Sequence, residues 1–223
     1  MSDFKFYLSK DSDKAAEYIA ARVGEQASKG SKVLFLLPGG SAADLAVKAA
    51  MLLIDSKANV CFTLTDERYG PPGHPDSNWA ALLQAGLKLE GAQYYEVLRG
   101  LSFDATTQAF DEFLAKSVDE FDFITGVFGM GADGHTAGIL PGSPAVQSPD
   151  YAANYTAADY PRITTTPKFL SKLDAAFLYA SGQNKHQMLD TLEQDTDVDV
   201  QPAQILKRAH SLTVFNDYKG EEL

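Results

Sequence analysis

Two side chains that can exchange protons, Asp133 and His135, lie in the glycine-rich segment VFGMGADGHTAGILPGSP, residues 127–144. The apolar run 123–128 predicts a buried strand that ends where the glycines begin. An α/β protein presents its chemistry in this way, at the carboxyl edge of its sheet. Gly134 lets the backbone approach a ligand closely, and an imidazole can accept or return a proton near neutral pH. We therefore predict a functional site here; the alternative is a tight turn whose histidine only hydrogen-bonds the backbone.

A second candidate is the turn Gly39, Gly40 and Ser41, which follows the apolar run 32–37 and precedes a helical pattern. Backbone N–H groups at a helix N-terminus bind anions, and a serine there adds a hydroxyl. The segment is neither G-x-G-x-x-G nor a phosphate-binding loop ending in Gly-Lys-Ser/Thr, so it gives little support to nucleotide binding. Anion binding and an ordinary strand-to-helix turn both remain open.

The third candidate is Asp66 with Arg68, at the end of the apolar run 60–65. A carboxylate at a strand end can face a ligand, and a guanidinium offers a forked donor to phosphate or carboxylate. The alternative is a surface ion pair. His74 and Asp76 follow in a proline-rich loop, but two candidate ligands are too few for a metal site, and we predict none.

Two isolated cations, Arg162 and Lys185, complete the candidates. Either could be an ordinary surface charge. Lys185, however, begins a predicted helix, where the helix dipole favours acidic groups. A bound anion would remove that penalty, so the unfavourable placement favours a functional role.

The elements that must position these residues alternate between strand and helix. Such alternation predicts an α/β fold with a mainly parallel, Rossmann-like sheet, helices on both faces, and a single domain spanning 1–223. The predicted strands are 4–8, 32–37, 60–65, 94–98, 123–128, 162–166, 175–180 and 212–215. The predicted helices are one that begins at Asp11 or Ser12 and ends near Gly30, 42–54, 79–87, 104–119, 184–194 and 201–209. The acidic segment after Asp195 is left unassigned.

Composition narrows the class of partner. The 223 residues are 45% hydrophobic and 22% charged, as in ordinary globular proteins, and the formal net charge is −11. Nucleic acids and acidic membranes attract basic surfaces, so neither is expected as a partner. We find no apolar stretch of membrane-spanning length and no secretory signal, and the single cysteine, Cys61, excludes an intramolecular disulfide. These features predict a cytoplasmic protein; the oligomeric state stays open.

Together the segments resemble the 6-phosphogluconolactonase family, within the wider group that includes glucosamine-6-phosphate deaminases. The similarity extends over nearly the whole chain from Lys32, with the segments in the family's order. The segments are GGS at 39–41, TDERYGPPGHPDSN at 65–78, GMGADGHTAGILPGSP at 129–144, PRIT at 161–164 and SGQNK at 181–185. One departure is Ala42-Ala43, where the family usually has Thr-Pro, so one hydroxyl contact to phosphate is missing.

The resemblance implies hydrolysis of 6-phospho-D-glucono-1,5-lactone to 6-phosphogluconate, in the oxidative pentose phosphate pathway and without a cofactor. The expected partner is therefore a small phosphorylated sugar lactone. By the same resemblance His135 is the base that activates water and Arg68 positions the substrate. Either Asp133 or Asp66 orients the imidazole or the water. Phosphate is held by Gly40, Ser41, Arg162 and Lys185.

Two other functions are weighed against this one. The deaminases carry a glutamate five residues after the histidine of their DGH motif, and this chain has Leu140 there, which cannot move a proton. A non-catalytic sugar-phosphate sensor would keep the phosphate site but would not need Asp66, Asp133 and His135. No serine stands in a G-x-S-x-G setting, which argues against a covalent acyl-enzyme.

Overall fold

Alternating strands and helices run along the described chain, residues 3–9, 11–55 and 58–223 of this computed structural model. The strands are β1 Asp3–Leu8, β2 Val33–Leu37, β3 Val60–Leu64, β4 Asp66–Arg68, β5 Gln93–Tyr94, β6 Phe123–Gly129, β7 Ala152–Thr156, β8 Pro161–Thr165, β9 Ala175–Ala180, β10 Ser211–Asn216 and β11 Glu221–Glu222. The α-helices are α1 Ser12–Ser28, α2 Ala43–Asp55, α3 Asn78–Gln84, α4 Phe103–Glu120, α5 Pro167–Leu170 and α6 His186–Glu193. Short 3₁₀ helices span Gly40–Ala42, Pro144–Gln147, Gln183–Lys185 and Pro202–Arg208.

Eight strands form one parallel sheet in the order β11-β1-β10-β9-β6-β2-β3-β5. Its central strands are buried throughout because their sequences are continuous apolar runs: all five residues of β2 and all five of β3 are buried. Gly126 of β6 pairs with Leu36 of β2, and a Cβ on Gly126 would lie 2.7 Å from the Cβ of Leu36. The glycine therefore lets these two central strands pack closely.

The order of strands reverses direction next to β2. From β2 the chain moves outward to β3 and β5, and then returns to place β6 and β9 on the other side of β2. Such a switch point leaves a crevice outside the carboxyl ends of the strands. The loops that follow β2, β3, β6 and β9 all open at this edge. They carry every candidate site residue except Asp66 and Arg68, which lie in β4, and Arg162, which lies in β8.

A small antiparallel sheet, in the order β4-β8-β7, stands beside this crevice. Strand β4 continues directly from β3 through Thr65, whose carbonyl accepts hydrogen bonds from the backbone N–H (3.0 Å) and the hydroxyl (2.9 Å) of Thr165. The small sheet is thereby fixed to the large one. It also holds the glycine-rich loop: the Thr164 hydroxyl donates to the Ala137 carbonyl, and the Tyr155 hydroxyl donates to that of Gly138 at 2.5 Å.

The helices follow the predicted caps and apolar faces. Asp11 caps α1 by accepting the backbone N–H of Asp13 at 2.8 Å, as one of the two predicted caps. The face of α1 that carries Ala16, Ile19 and Val23 is buried. Within the residues described, no helix combines the length and apolarity that crossing a membrane would require.

The α/β class and the largely parallel sheet are confirmed, and the structure corrects several elements. The predicted strand 94–98 is limited to Gln93–Tyr94, and the predicted helix 201–209 is the 3₁₀ helix Pro202–Arg208. The antiparallel strands β4 and β7 were not predicted, because neither contains a continuous apolar run.

Candidate active site

The carboxyl-edge crevice contains an open cavity of about 200 Å³. Eight of the ten residues selected from the sequence line it: Gly39, Gly40, Ser41, Asp66, Arg68, His135, Arg162 and Lys185. Asp133 lies behind the imidazole, and Gly134 lies outside the cavity lining. The cavity therefore combines a proton-accepting group with three cationic side chains in one small volume.

The imidazole of His135 is held by Asp133. One carboxylate oxygen, Oδ1, lies 2.6 Å from Nδ1 of the ring and accepts the backbone N–H of His135 at 3.1 Å. Burial opposes ionisation of Asp133, but these contacts with His135 outweigh it, so the pKa of the carboxyl lies below its ordinary value of 3.8. An ionised carboxylate can only accept, so Nδ1 is the donor, and in the neutral form of the imidazole Nε2 carries the lone pair. Nε2 makes no hydrogen bond within the described residues.

Gly131 leaves the space in which this His–Asp pair sits. A Cβ on Gly131 would lie 2.2 Å from Nδ1 of His135 and 2.6 Å from Oδ1 of Asp133. Any side chain at this position must therefore displace the pair. The next turn is equally constrained, because Ala137 has a φ of 49°, in the left-handed region that L-residues rarely adopt.

Asp66 lies on another wall of the cavity and makes no hydrogen bond with His135. Its carboxylate is 7% exposed and accepts from the Thr65 hydroxyl at 2.8 Å and from the Asn78 amide at 3.3 Å. Gly138 leaves room for it, because a Cβ there would lie 2.7 Å from Oδ2 of Asp66. Of the two acids considered from the sequence, Asp133 is therefore the one that contacts the imidazole.

Arg68 and Arg162 are direct partners across the antiparallel pair β4–β8, and both line the cavity. Like charges placed opposite each other on adjacent strands repel. Nη1 of Arg68 donates to the carbonyl of Asp76 at 3.0 Å, and Nη2 of Arg162 donates to the carboxylate of Asp159 at 2.5 Å. This paired arrangement gives a local positive region in a protein of net charge −11, and an anion between the arginines would relieve their repulsion.

Lys185, on the segment that follows β9, brings a third cation to the cavity. It is 8% exposed, and its Nζ donates to the Ser41 hydroxyl at 3.0 Å. Burial lowers the pKa of the Lys185 ammonium, and the nearby charge of Asp217 only partly offsets this effect. Ser41 belongs to the 3₁₀ turn that leads into α2, where Gly40 has a φ of 64°. A buried ammonium and a helix N-terminus thus face the same volume.

The sequence of this chain matches a known protein family. The sequence profile of the family described as "Glucosamine-6-phosphate isomerases/6-phosphogluconolactonase" matches residues 9–215. The chain belongs to this family.

Curated relatives of similar length carry one of the two activities in their names. A 6-phosphogluconolactonase of Caulobacter vibrioides is 28% identical over 210 residues, covering 88% of each chain. One of Neisseria meningitidis is also 28% identical, over 208 residues, covering 86% of this chain and 89% of the relative. On this evidence the chain is a 6-phosphogluconolactonase-like enzyme.

Solved structures of the family share the fold. The structure of a 6-phosphogluconolactonase from Shewanella baltica superposes with a TM-score of 0.81 at 22% identity and covers 97% of both chains. That of the Thermotoga maritima 6-phosphogluconolactonase also has a TM-score of 0.81, at 20% identity, covering 97% of this chain and 99% of the other.

In this member of the 6-phosphogluconolactonase family, Gly134 lies outside the cavity lining, and its predicted contact with substrate stays a prediction. It is buried, and a Cβ on it would lie 2.7 Å from Cγ of Gln201. Its carbonyl accepts the backbone N–H of Ala203 at 3.0 Å. Gly134 therefore packs the glycine-rich turn against the 3₁₀ helix Pro202–Arg208. The sequence predicted a helix at 201–209 but not this contact.

Glu67 is a structural residue that motif reasoning did not select. Strand alternation turns it away from the face that carries Asp66 and Arg68, and it is fully buried. Its carboxylate accepts the Ser77 hydroxyl at 2.8 Å and the backbone N–H groups of Asn78 and Trp79 at 2.6 and 3.1 Å. Burial raises the pKa of Glu67 against these hydrogen bonds. The residue fixes the start of α3, so that Asn78 reaches the cavity.

In the proline-rich loop, His74 makes contacts within the loop and with β4. A ring nitrogen of His74 lies 2.9 Å from the carbonyl of Arg68, and the ring packs against Gly70. Among the residues described, no group of three or more His, Cys, Asp or Glu side chains is arranged to hold a metal ion.

Proposed function

We propose that the chain hydrolyses 6-phospho-D-glucono-1,5-lactone to 6-phosphogluconate, with water activated by His135. The observation that carries this proposal is the placement of the Asp133-supported imidazole and three cations around one cavity. A lactone carbonyl needs a proton acceptor beside it, and a phosphate needs cations at a distance from the reacting carbon. The names of the curated relatives support the same reaction.

The first step is attack of water on the lactone carbonyl. Nε2 of His135 takes a proton from the water as its oxygen bonds to the carbonyl carbon, which is worth on the order of 10²- to 10⁴-fold in rate. Asp133 stabilises the imidazolium that forms, because it is ionised and hydrogen-bonded to Nδ1. The carbonyl oxygen becomes an oxyanion, which Arg68 or N–H groups of the glycine-rich turn stabilise.

The second step is opening of the ring. The tetrahedral intermediate collapses, the bond between the carbonyl carbon and the ring oxygen breaks, and the imidazolium returns its proton to that oxygen. The product is a hydroxy acid, and His135 is again neutral. Water is the only co-reactant, so the groups on the chain suffice for this reaction.

Three groups hold the phosphate in this proposal. Lys185 and Arg162, which both line the cavity, supply positive charge, and the turn at Gly40 and Ser41 supplies N–H and hydroxyl donors. Hydrogen bonds between charged partners are about twice as strong as neutral ones. A phosphate dianion would also remove the repulsion between Arg68 and Arg162 and the desolvation penalty on Lys185.

The isomerase activity of the family is less well supported in this chain. The position five residues after His135 is Leu140, whose side chain cannot transfer a proton to open a sugar ring. Release of ammonia from glucosamine 6-phosphate at a rate comparable with lactone hydrolysis would reverse this ranking.

The decisive experiment is a lactonase assay on freshly generated 6-phosphogluconolactone, with spontaneous hydrolysis subtracted. We expect His135→Ala to lose on the order of 10²-fold or more in kcat. His210→Ala is the matched control, because the His210 side chain is 85% exposed and lies outside the cavity. A His135→Ala enzyme that keeps near-normal kcat would contradict the base assignment. Binding of 6-phosphogluconate without any turnover by the wild type would instead indicate a sensor.

A further inference from the structure

The turn between β7 and β8, residues 157–160, brings an acid and an aromatic ring to the Arg162 side of the cavity. The turn is closed by a hydrogen bond of 3.0 Å from the backbone N–H of Ala157 to the carbonyl of Tyr160. Asp159 and Tyr160 both contact the guanidinium of Arg162. The function proposed above gives neither residue a role.

Asp159 occupies one edge of the Arg162 guanidinium. Its Oδ2 accepts from Nη2 of Arg162 at 2.5 Å, and its Oδ1 accepts the backbone N–H of Tyr160 at 2.9 Å. The Asp159 side chain is 52% exposed, whereas that of Arg162 is 10% exposed. The acid can therefore swing into solvent, while the guanidinium stays where the fold places it.

The pairing is particular to Arg162. Among the described residues, Arg162 is the one cation of the cavity that has a carboxylate within 4.0 Å of its nitrogens. Arg68 donates to a backbone carbonyl and Lys185 to a hydroxyl, both of which are neutral. The Asp159 carboxylate thus already accepts a hydrogen bond from Arg162, the residue to which phosphate binding is assigned.

Contacts other than the one with Asp159 also restrain Arg162. Arg162 lies in β8, between β4 and β7, and the ring of Tyr160 lies 5.9 Å from its Cζ and 5.3 Å from that of Arg68. The Tyr160 hydroxyl is 3.4 Å from a carboxylate oxygen of Asp76, which holds the ring toward the β4 side. Strand pairing and the aromatic face therefore restrain the guanidinium in addition to the acid.

From these contacts we infer that Asp159 is an internal competitor for the anionic group of the substrate, bound to Arg162 until a phosphate displaces it. The inference rests on the proposed function, because it takes Arg162 as a phosphate ligand. A carboxylate on the same turn is present at high effective concentration. It lowers the affinity for every ligand that must reach Arg162, both substrate and product, and leaves ligands without an anionic group unaffected. Asp159 is thus an affinity-setting residue.

The test compares Asp159→Asn with the wild type. Asparagine keeps the size and one oxygen acceptor but removes the charge, so it separates competition from positioning. We expect the Kd for 6-phosphogluconate, measured by calorimetry, and the KM for the phosphorylated lactone to fall about threefold to tenfold. The rate on unphosphorylated gluconolactone should not change. Asp195→Asn is the matched control, because it removes the same charge from an exposed ion pair with Lys207.

Each alternative outcome contradicts the inference in a recognisable way. An Asp159→Asn enzyme that binds 6-phosphogluconate no more tightly than the wild type excludes competition. Weaker binding by Asp159→Ala together with normal binding by Asp159→Asn would make Asp159 a positioning residue. Arg162→Ala distinguishes failure of this inference from failure of the phosphate assignment. If Arg162→Ala weakens binding while Asp159→Asn does not tighten it, the phosphate assignment stands and this inference alone fails. If Arg162→Ala binds 6-phosphogluconate normally, both fail. Should the alanine variant not fold, Arg162→Gln is used in its place, because glutamine removes the charge but keeps most of the side-chain length.

Discussion

The two sheets contribute to the cavity in different ways. The parallel sheet supplies loops: its strands end at the crevice, and His135, Asp133 and Lys185 lie on the segments that follow β6 and β9. The small antiparallel sheet supplies the strands themselves, since Arg68 and Arg162 are paired residues within β4 and β8. Proton transfer is thus assigned to the loop after β6, whereas two of the three cations lie on backbone fixed by strand pairing and the third, Lys185, follows β9. The comparison predicts that damage to the loop after β6 affects turnover, and that damage to Arg162 in β8 or to Lys185 affects binding.

The largest of the further effects is expected from Gly131→Ala. The added Cβ meets Nδ1 of His135 at 2.2 Å, so the imidazole must move from its place in the cavity. We expect kcat to fall about tenfold to a hundredfold on phosphorylated and unphosphorylated lactone alike, because misplacement of a catalytic group by about 1 Å has effects of this size. Steady-state kinetics on both substrates measures this.

The matched control for that variant is Gly24→Ala in α1, where the new Cβ would lie 3.9 Å from Leu53 and meet no clash. If Gly131→Ala raises only KM, the glycine-rich loop does not serve turnover, and the division between turnover and binding residues is wrong.

Removal of the Lys185 side chain tests whether this cation contributes to substrate binding. Lys185→Ala should raise the KM for the phosphorylated lactone about tenfold or more, because a charge-assisted contact contributes roughly 1.5–3 kcal/mol. It should leave the rate on unphosphorylated gluconolactone unchanged. Lys29→Ala removes an equal charge from an exposed pair with Glu25 and should be silent. Equal losses on both substrates would mean that Lys185 does not act through the phosphate.

A smaller effect is expected from pH. Burial lowers the pKa of Lys185 from its ordinary value of 10.5, so the ammonium loses its charge at a lower pH than an exposed lysine does. Binding of a dianion depends on that charge, and it should therefore weaken as the pH rises through the lowered pKa. Calorimetry with 6-phosphogluconate at increasing pH measures this, and Lys185→Ala should lack the alkaline decline. An identical pH profile in the variant would assign the decline to another group.

The sequence predicts the parallel sheet better than the antiparallel one, for a physical reason. Strands β2, β3, β6 and β9 are apolar runs buried on both faces, and this pattern is visible without any knowledge of neighbours. Strand β4, Asp66–Arg68, consists of charged residues, and its extended form depends on pairing with β8. Its register with β8 places Arg68 opposite Arg162, and no local sequence pattern predicts this contact.

The residues of the candidate site also differ in how well the sequence predicts them. Glycine turns after apolar strands indicated the residues that line the cavity, because loops after neighbouring parallel strands must meet at one edge. The contact of Gly134 with Gln201 could not be predicted, because the two residues are distant in sequence. Asp159 and Tyr160 were missed because their contacts with Arg162 exist only once β7 and β8 form a hairpin.

The outermost strands of the large sheet have a consequence for association between copies. Strands β5 and β11 are two residues long, and β11 consists of two glutamates. Both border strands are short and offer few unpaired backbone groups to an incoming strand, and the negatively charged β11 repels a second copy of itself. Growth of this sheet from one molecule into the next is therefore disfavoured.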